Sequence, residues 1–283
     1  MGHFTVSLSG RYPFLAEGGR APYLETYLPF NLTEMQREND RRPTILLLPG
    51  GAYRFCSQRE AEPIALNYLP AGYNVMILWY SCKPHRHPVQ LIEVASAMET
   101  LYENAEAWHI DTEKIAIMGF SAGGHLAAHY TNRFDCEEVR RAFPDSKPVN
   151  ASILGYPVIT GDPDHRTYAH TGSFKNLLGC EELSDEDAAA FSCERMVTER
   201  TPPTFLWCTR TDASVSVMNS LLYAEALAKH DVPFSLHVYP AGKHGLATVD
   251  AQTNPPEKLA DGAALAHAWL EESIKWLDLT FGR

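Results

Sequence analysis

The sequence predicts an α/β fold with a central, mostly parallel sheet flanked by helices, and three observations lead there. Short apolar runs recur along the 283 residues and suit strands buried on both faces. Between them lie stretches whose apolar residues repeat at threes and fours, the mark of amphipathic helices. At Gly119-Phe120-Ser121-Ala122-Gly123-Gly124 one apolar run turns sharply into a small-residue helix, which is the strand–turn–helix setting of a G-x-S-x-G elbow.

From the N-terminus, Phe4–Leu8 and Tyr23–Leu28 alternate apolar and polar residues around a turn signal at Gly18 and Gly19, which predicts a hairpin. Thr44–Leu48 is a continuous apolar run that ends in Pro49-Gly50-Gly51-Ala52-Tyr53, and Ser57–Leu69 then reads as a helix with Pro63 in its first turns. Tyr73–Tyr80 is the next strand. The loop 81–88 after it carries two prolines and Lys83, His85, Arg86 and His87, and stands as a candidate substrate wall, although His85 and His87 fit a solvated loop better. Val89–Trp108 reads as one long helix, Lys114–Met118 as the strand entering the elbow, and Asp135–Phe143 as a short surface helix. Asn150–Val158, Thr204–Thr209 and Phe234–Tyr239 complete eight strands. The helices between and after them are expected over Val217–Lys229 and from about Pro256 to Leu279. Residues 160–200 break the rhythm: they are turn-rich and acidic, and are expected to form a partial lid with helices at Ser173–Leu178 and Ser184–Phe191.

Composition narrows the function classes. Apolar residues at 45% and charged residues at 21% match an ordinary globular protein, and the length suits one α/β domain over 1–283 with a lid-like insertion. A formal net charge of -11 argues against a nucleic-acid partner, which calls for clustered Lys and Arg. Neither a signal-peptide pattern nor an apolar run of membrane-spanning length occurs, so no membrane association is expected. Cysteines at 56, 82, 136, 180, 193 and 208 are scattered without a C-x-x-C pair. Reduced thiols in a cytoplasmic protein, with no metal site, are the expectation.

A serine hydroxyl needs a base to take its proton and an acid to orient that base. Ser121 is the candidate nucleophile, and the N–H of Ala122, free at the start of a helix, is a candidate oxyanion donor. The turn at Gly51 and Ala52, where glycine lets the backbone approach a ligand, is the second donor site. Tyr53 beside it and Tyr156 at the end of a strand are candidate substrate-binding residues. Among twelve histidines, His244 lies on a turn after the last strand between Gly242 and Gly245; His237, His125 and His129 read as structural. Asp212, after the preceding strand, emerges at the same sheet edge, with Asp231 and Asp250 as rivals.

From about Thr44 to Leu246 the chain resembles the acetyl esterase and acetylxylan-esterase-like α/β-hydrolases, related to the hormone-sensitive-lipase-type esterases. The resemblance is carried by Leu-Pro-Gly-Gly-Ala-Tyr at 48–53, Ser57–Pro63, the stretch Gly119–Ala127, Thr211-Asp212 with Asn219-Ser220, and Lys243-His244-Gly245. It implies an α/β-hydrolase fold, a triad of Ser121, Asp212 and His244, and oxyanion donors near Gly51, Ala52 and Ala122. Pro49 stands where many relatives have His, and Ala52 where a third Gly is frequent. The resemblance leads to the expectation of a serine carboxylesterase acting without metal or organic cofactor on short acyl esters, acetyl foremost, of sugars such as xylo-oligosaccharides. A prolyl-oligopeptidase-type peptidase and a non-catalytic binding module are the alternatives. Oligomeric state is not readable from the sequence.

Overall fold

Leu46 and Leu48 project to one side of their strand, Ile45 and Leu47 to the other, and both sets are fully buried. A strand apolar on both faces needs a helical layer on each side. The computed structural model, which describes residues 2–10, 21–260 and 262–283, supplies both. Its strands are β1 (Gly2–Ser7), β2 (Tyr23–Leu28), β3 (Arg42–Leu48), β4 (Asn74–Trp79), β5 (Ile110–Phe120), β6 (Ala151–Gly155), β7 (Thr204–Thr209) and β8 (Phe234–Tyr239). Its α-helices are α1 (Glu62–Tyr68), α2 (Val89–Glu103), α3 (Ala122–Arg133), α4 (Glu137–Ala142), α5 (Thr171–Leu178), α6 (Asp185–Ala190), α7 (Met218–Lys229) and α8 (Trp269–Thr280).

The strands form one sheet in the order β1-β2-β4-β3-β5-β6-β7-β8, with β1 and β2 antiparallel and β3 to β8 mutually parallel. This is an α/β-hydrolase fold. Met98 of α2, Leu126 of α3 and Tyr223 of α7 pack with Leu46 and Leu48 on one face. Ile64 and Tyr68 of α1 and Trp269 and Leu277 of α8 pack with Ile45 and Leu47 on the other. Because the strands from β3 onward run the same way, the ends of β3, β5, β7 and β8 deliver the Gly50 turn, Ser121, Asp212 and His244 to one edge of the sheet.

Several boundaries depart from the periodicity. The apolar repeat to Trp108 stops being helical at Glu103, and the chain enters β5 already at Ile110. The expected single C-terminal helix is broken. Short 3-10 turns occupy Pro256–Lys258 and Ala263–Ala268, and Gly262 between them sits at φ 85°. Ala263 and Ala266 still bury against the sheet, so the apolar spacing is satisfied without a continuous helix. The hairpin of β1 and β2 forms, while the turn signal at Gly18 and Gly19 falls outside the described residues. Residues 160–200 hold α5 and α6 close to where the sequence puts helices, flanked by 3-10 turns at Pro163–Tyr168 and Cys193–Arg195. Among the described residues no helix is long and apolar enough to cross a membrane.

Trp269 anchors α8 beneath the site. Its ring stacks on Trp207 at 4.8 Å, and its Nε1 donates to Ala247 O at 2.9 Å, in the loop that carries His244. Trp269→Ala empties this site and orphans a buried carbonyl, so the free energy of unfolding in a urea titration should fall by about 4 kcal/mol.

Candidate active site

The elbow is built by close backbone approach. A Cβ at Gly119 would lie 2.2 Å from Gly123 O, and one at Gly123 would lie 2.2 Å from Leu48 O. Only glycine lets the first turn of α3 press onto β5 and the end of β3. Ser121, the residue between them, is held at φ 52° and ψ -120°, a conformation that costs on the order of 1–3 kcal/mol for a residue with a side chain.

Ser121 Oγ lies 2.8 Å from His244 Nε2, and His244 Nδ1 lies 2.7 Å from Asp212 Oδ2. The carboxylate can only accept, so Nδ1 carries the proton and Nε2 is left to accept from the serine hydroxyl. Asp212 is closely held: its Oδ1 accepts from Ser214 N at 2.9 Å and Val215 N at 3.0 Å, and its side chain is 1% exposed. Asp231 sits in the turn after α7, and Asp250 receives N–H and hydroxyl donors from its own loop, so neither rival reaches His244. His237 lies within β8, and His125 and His129 are buried in α3.

Gly51, Ala52, Ser121 and His244 line one cleft of about 320 Å3. The N–H groups of Gly51, Ala52 and Ala122 have no acceptor among the described residues, so they are free to serve a ligand oxygen. Ala52 adopts φ 55°, the left-handed conformation that glycine takes without strain. Its carbonyl is pinned by Asn176 Nδ2 of α5 at 2.9 Å, so the insertion at 160–200 braces the turn as well as flanking the cleft. His170, from the same insertion, is also part of the cleft wall.

Tyr53 and Tyr156, expected to touch substrate, are not among the residues that line the cleft. Both are buried, because each ring fills space behind the loop it belongs to. Tyr53 OH donates to His125 Nδ1 at 2.8 Å, and His125 Nε2 donates to Phe191 O at 2.9 Å, which ties the Gly51 turn through α3 to the insertion. Tyr156 OH donates to Glu60 Oε1 at 2.7 Å and accepts from Ala247 N at 3.1 Å, while its ring stands 5.1 Å from that of His244. Loop 81–88 borders a neighbouring hollow rather than this one, and His87 is half-buried, stacked on His129 at 5.5 Å.

Sequence reasoning missed Glu60. Its Oε2 accepts from Gly50 N at 2.8 Å, and it is 3% exposed, so through Tyr156 it links the Gly50–Ala52 turn to the His244 loop. An acid just ahead of an apolar helix reads as a charge for the helix terminus, which conceals such a contact. Arg59 adds Nη1–H···O bonds to Gly245 at 2.7 Å and Thr253 at 3.2 Å, and Lys258 Nζ donates to His244 O at 3.1 Å. Among the described residues no group of three or more His, Cys, Asp or Glu side chains could hold a metal ion.

Comparison with known proteins places these features. Residues 30–227 match the BD-FAE family. The chain is 34% identical over 249 residues to endo-1,4-beta-xylanase B of Butyrivibrio fibrisolvens, a match that covers 84% of this chain and 37% of that protein. It is 30% identical over 212 residues to an acetylxylan esterase of Xylanibacter ruminicola, covering 74% and 42%. The chain thus spans about two fifths of the length of these curated relatives. Among solved structures, an acetyl ester-xyloside bifunctional hydrolase from Caldicellulosiruptor lactoaceticus superposes with a TM-score of 0.82 at 32% identity, covering 99% of this chain and 96% of that one.

Burial holds three histidines behind the elbow neutral. Desolvation pushes His125 and His87 down from 6.5 to about 4, and His129 well below its ordinary value. The unfolded chain therefore takes up these protons first as the pH falls below 6.5. The stability present above that pH is lost progressively towards pH 4, by up to about 1.4 kcal/mol per pH unit for each histidine. Urea titrations across this window should show the decline, and a shallower one in His129→Gln.

Proposed function

Because the chain belongs to the BD-FAE family of α/β-hydrolases, we propose that it is a serine carboxylesterase that removes short acyl groups, acetyl foremost, from carbohydrate such as xylo-oligosaccharides. One observation carries this reading: Ser121 Oγ, His244 and Asp212 stand in an unbroken hydrogen-bonded line, with Ser121 and His244 lining a cleft. The sugar part draws support from the relatives, one an acetylxylan esterase and another an acetyl ester-xyloside hydrolase. A cytoplasmic location belongs to the same proposal, on the composition already described.

In the proposed reaction Ser121 Oγ attacks the ester carbonyl carbon as its proton passes to His244 Nε2. Asp212 stabilises the imidazolium without taking the proton. The carbonyl oxygen becomes an oxyanion and meets the N–H groups of Gly51, Ala52 and Ala122. Because those donors are fixed by the turn and the helix start, little reorganisation accompanies the charge. Collapse expels the alcohol, which takes the proton back from His244 and leaves an acyl ester on Ser121. Water, deprotonated by the same histidine, then releases the carboxylic acid and restores the serine.

Ser121→Ala should lower kcat/KM on p-nitrophenyl acetate and on acetylated xylo-oligosaccharides by about 1000-fold or more, with the fold retained by circular dichroism. Equal rates in the two proteins would overturn the proposal, and turnover of acylated peptides with esters untouched would favour a peptidase. Glu60→Gln presents an amide where two donors converge on Glu60, so either Gly50 N or Tyr156 OH loses its acceptor and faces an NH2 group. It should lower kcat by about tenfold or more with a smaller change in KM, since positioning rather than binding is impaired.

A further inference from the structure

The chain is acidic, with a formal net charge of -11, yet the cleft at Ser121 is not. Its lining includes three cationic side chains, Arg54, Arg59 and Lys258, and one carboxylate, Glu60. Glu60 accepts from the neutral Gly50 N and Tyr156 OH and so keeps its negative charge, which leaves the lining with an excess of cations. Arg59 and Lys258 donate to the neutral carbonyls of Gly245 and His244, which satisfies their hydrogen bonds and leaves their charge in place. Burial and the nearby Arg59 and Lys243 depress the Lys258 ammonium, against the opposing pull of the Glu60 and Asp212 carboxylates. Arg54 is exposed, and among the described residues its guanidinium has no hydrogen-bond or ion-pair partner.

The range of electrostatics decides which charges a ligand meets. At physiological ionic strength exposed charges more than about 8 Å apart are largely screened, so the distant acidic surface acts weakly and the lining sets the local potential. The side on which the cations lie also matters. The leaving alcohol takes its proton from His244 Nε2 and so departs past that ring. Arg59 and Lys258 grip the backbone of residues 244 and 245, which puts their charge next to the alcohol's path.

We propose that the alcohol part of the substrate carries a carboxylate, as a uronic acid does, and that Arg54 binds it in the field of Arg59 and Lys258. A guanidinium fork matches a carboxylate with two parallel N–H···O bonds, and an arginine without a partner among the described residues is placed to form them. The inference rests on the esterase reading and narrows it from acylated carbohydrate to acylated carbohydrate bearing an acid group near the ester.

A matched pair of probes tests it: the acetate ester of 4-hydroxyphenylacetate and that of its carboxamide, in which a methylene insulates the phenol from the charge. At low ionic strength the wild type should favour the carboxylate over the amide in kcat/KM by about fivefold or more. That ratio should fall towards one in Arg54→Gln, drop below one in Arg54→Glu, and shrink as NaCl rises to about 0.5 M. Equal turnover of the two probes by the wild type, or a preference that survives Arg54→Glu, would overturn the inference and leave the esterase reading intact. If neither probe is hydrolysed in a Ser121-dependent way, the esterase reading itself falls.

Discussion

The contact on which the site depends is the approach of the first turn of α3 to the ends of β3 and β5. Gly123 brings helix backbone within reach of Leu48 O and Pro49 O, and Gly119 makes room for Gly123 in turn. Backbones this close leave the residue between the glycines no relaxed conformation, and Ser121 accepts φ 52° as a result. The strain aims the hydroxyl out of the sheet edge and opens the N–H of Ala122 towards the same space. Packing of the α3 face against Leu46 and Leu48 offsets the cost.

Three loops must then hold their positions around that serine, and a buried polar network links them. Glu60 joins the Gly50 turn to Tyr156, and Tyr156 joins the strand end of β6 to Ala247 beyond His244. On the far side Tyr53, His125 and Phe191 connect the same turn to the insertion, and Asn176 fixes the Ala52 carbonyl. Asn219 at the start of α7 takes Ile159 N and Thr160 N and gives to Tyr168 O, which sets the insertion against the core. Each donor in this network meets an acceptor, so loops that carry left-handed Ala52 and Ala247 are held from several directions.

Much of the fold was legible because its signals are local. Continuous apolar runs such as Thr44–Leu48 allow few structures, and the spacing around Ser121 is dictated by contacts within one turn. The order of Asp212 and His244 along the chain, each after a strand, was also enough to bring them to the sheet edge where Ser121 lies. What escaped depends on contacts between residues far apart. The C-terminal repeat satisfied its buried face with one 3-10 turn, through Ala263 and Ala266, and with α8, because Gly262 interrupts the helix, a choice periodicity does not record. Tyr53 and Tyr156 stand beside the right turns, yet their rings point into the core, since that is where Glu60 and His125 offer partners. Glu60 itself looks like any acid near a helix start until Gly50 and Tyr156 converge on it from distant parts of the chain.

The central claim is that Ser121 carries the acyl group between the two halves of the reaction. The most direct measurement is rapid acid quench during turnover of an aryl acetate, followed by proteolysis and mass spectrometry. The expected result is one acetyl group on the peptide that contains Ser121, formed in a burst ahead of steady-state turnover and released by water. An acetyl group on another residue, or turnover with no acylated peptide at any quench time in a protein that also shows no burst, would contradict it.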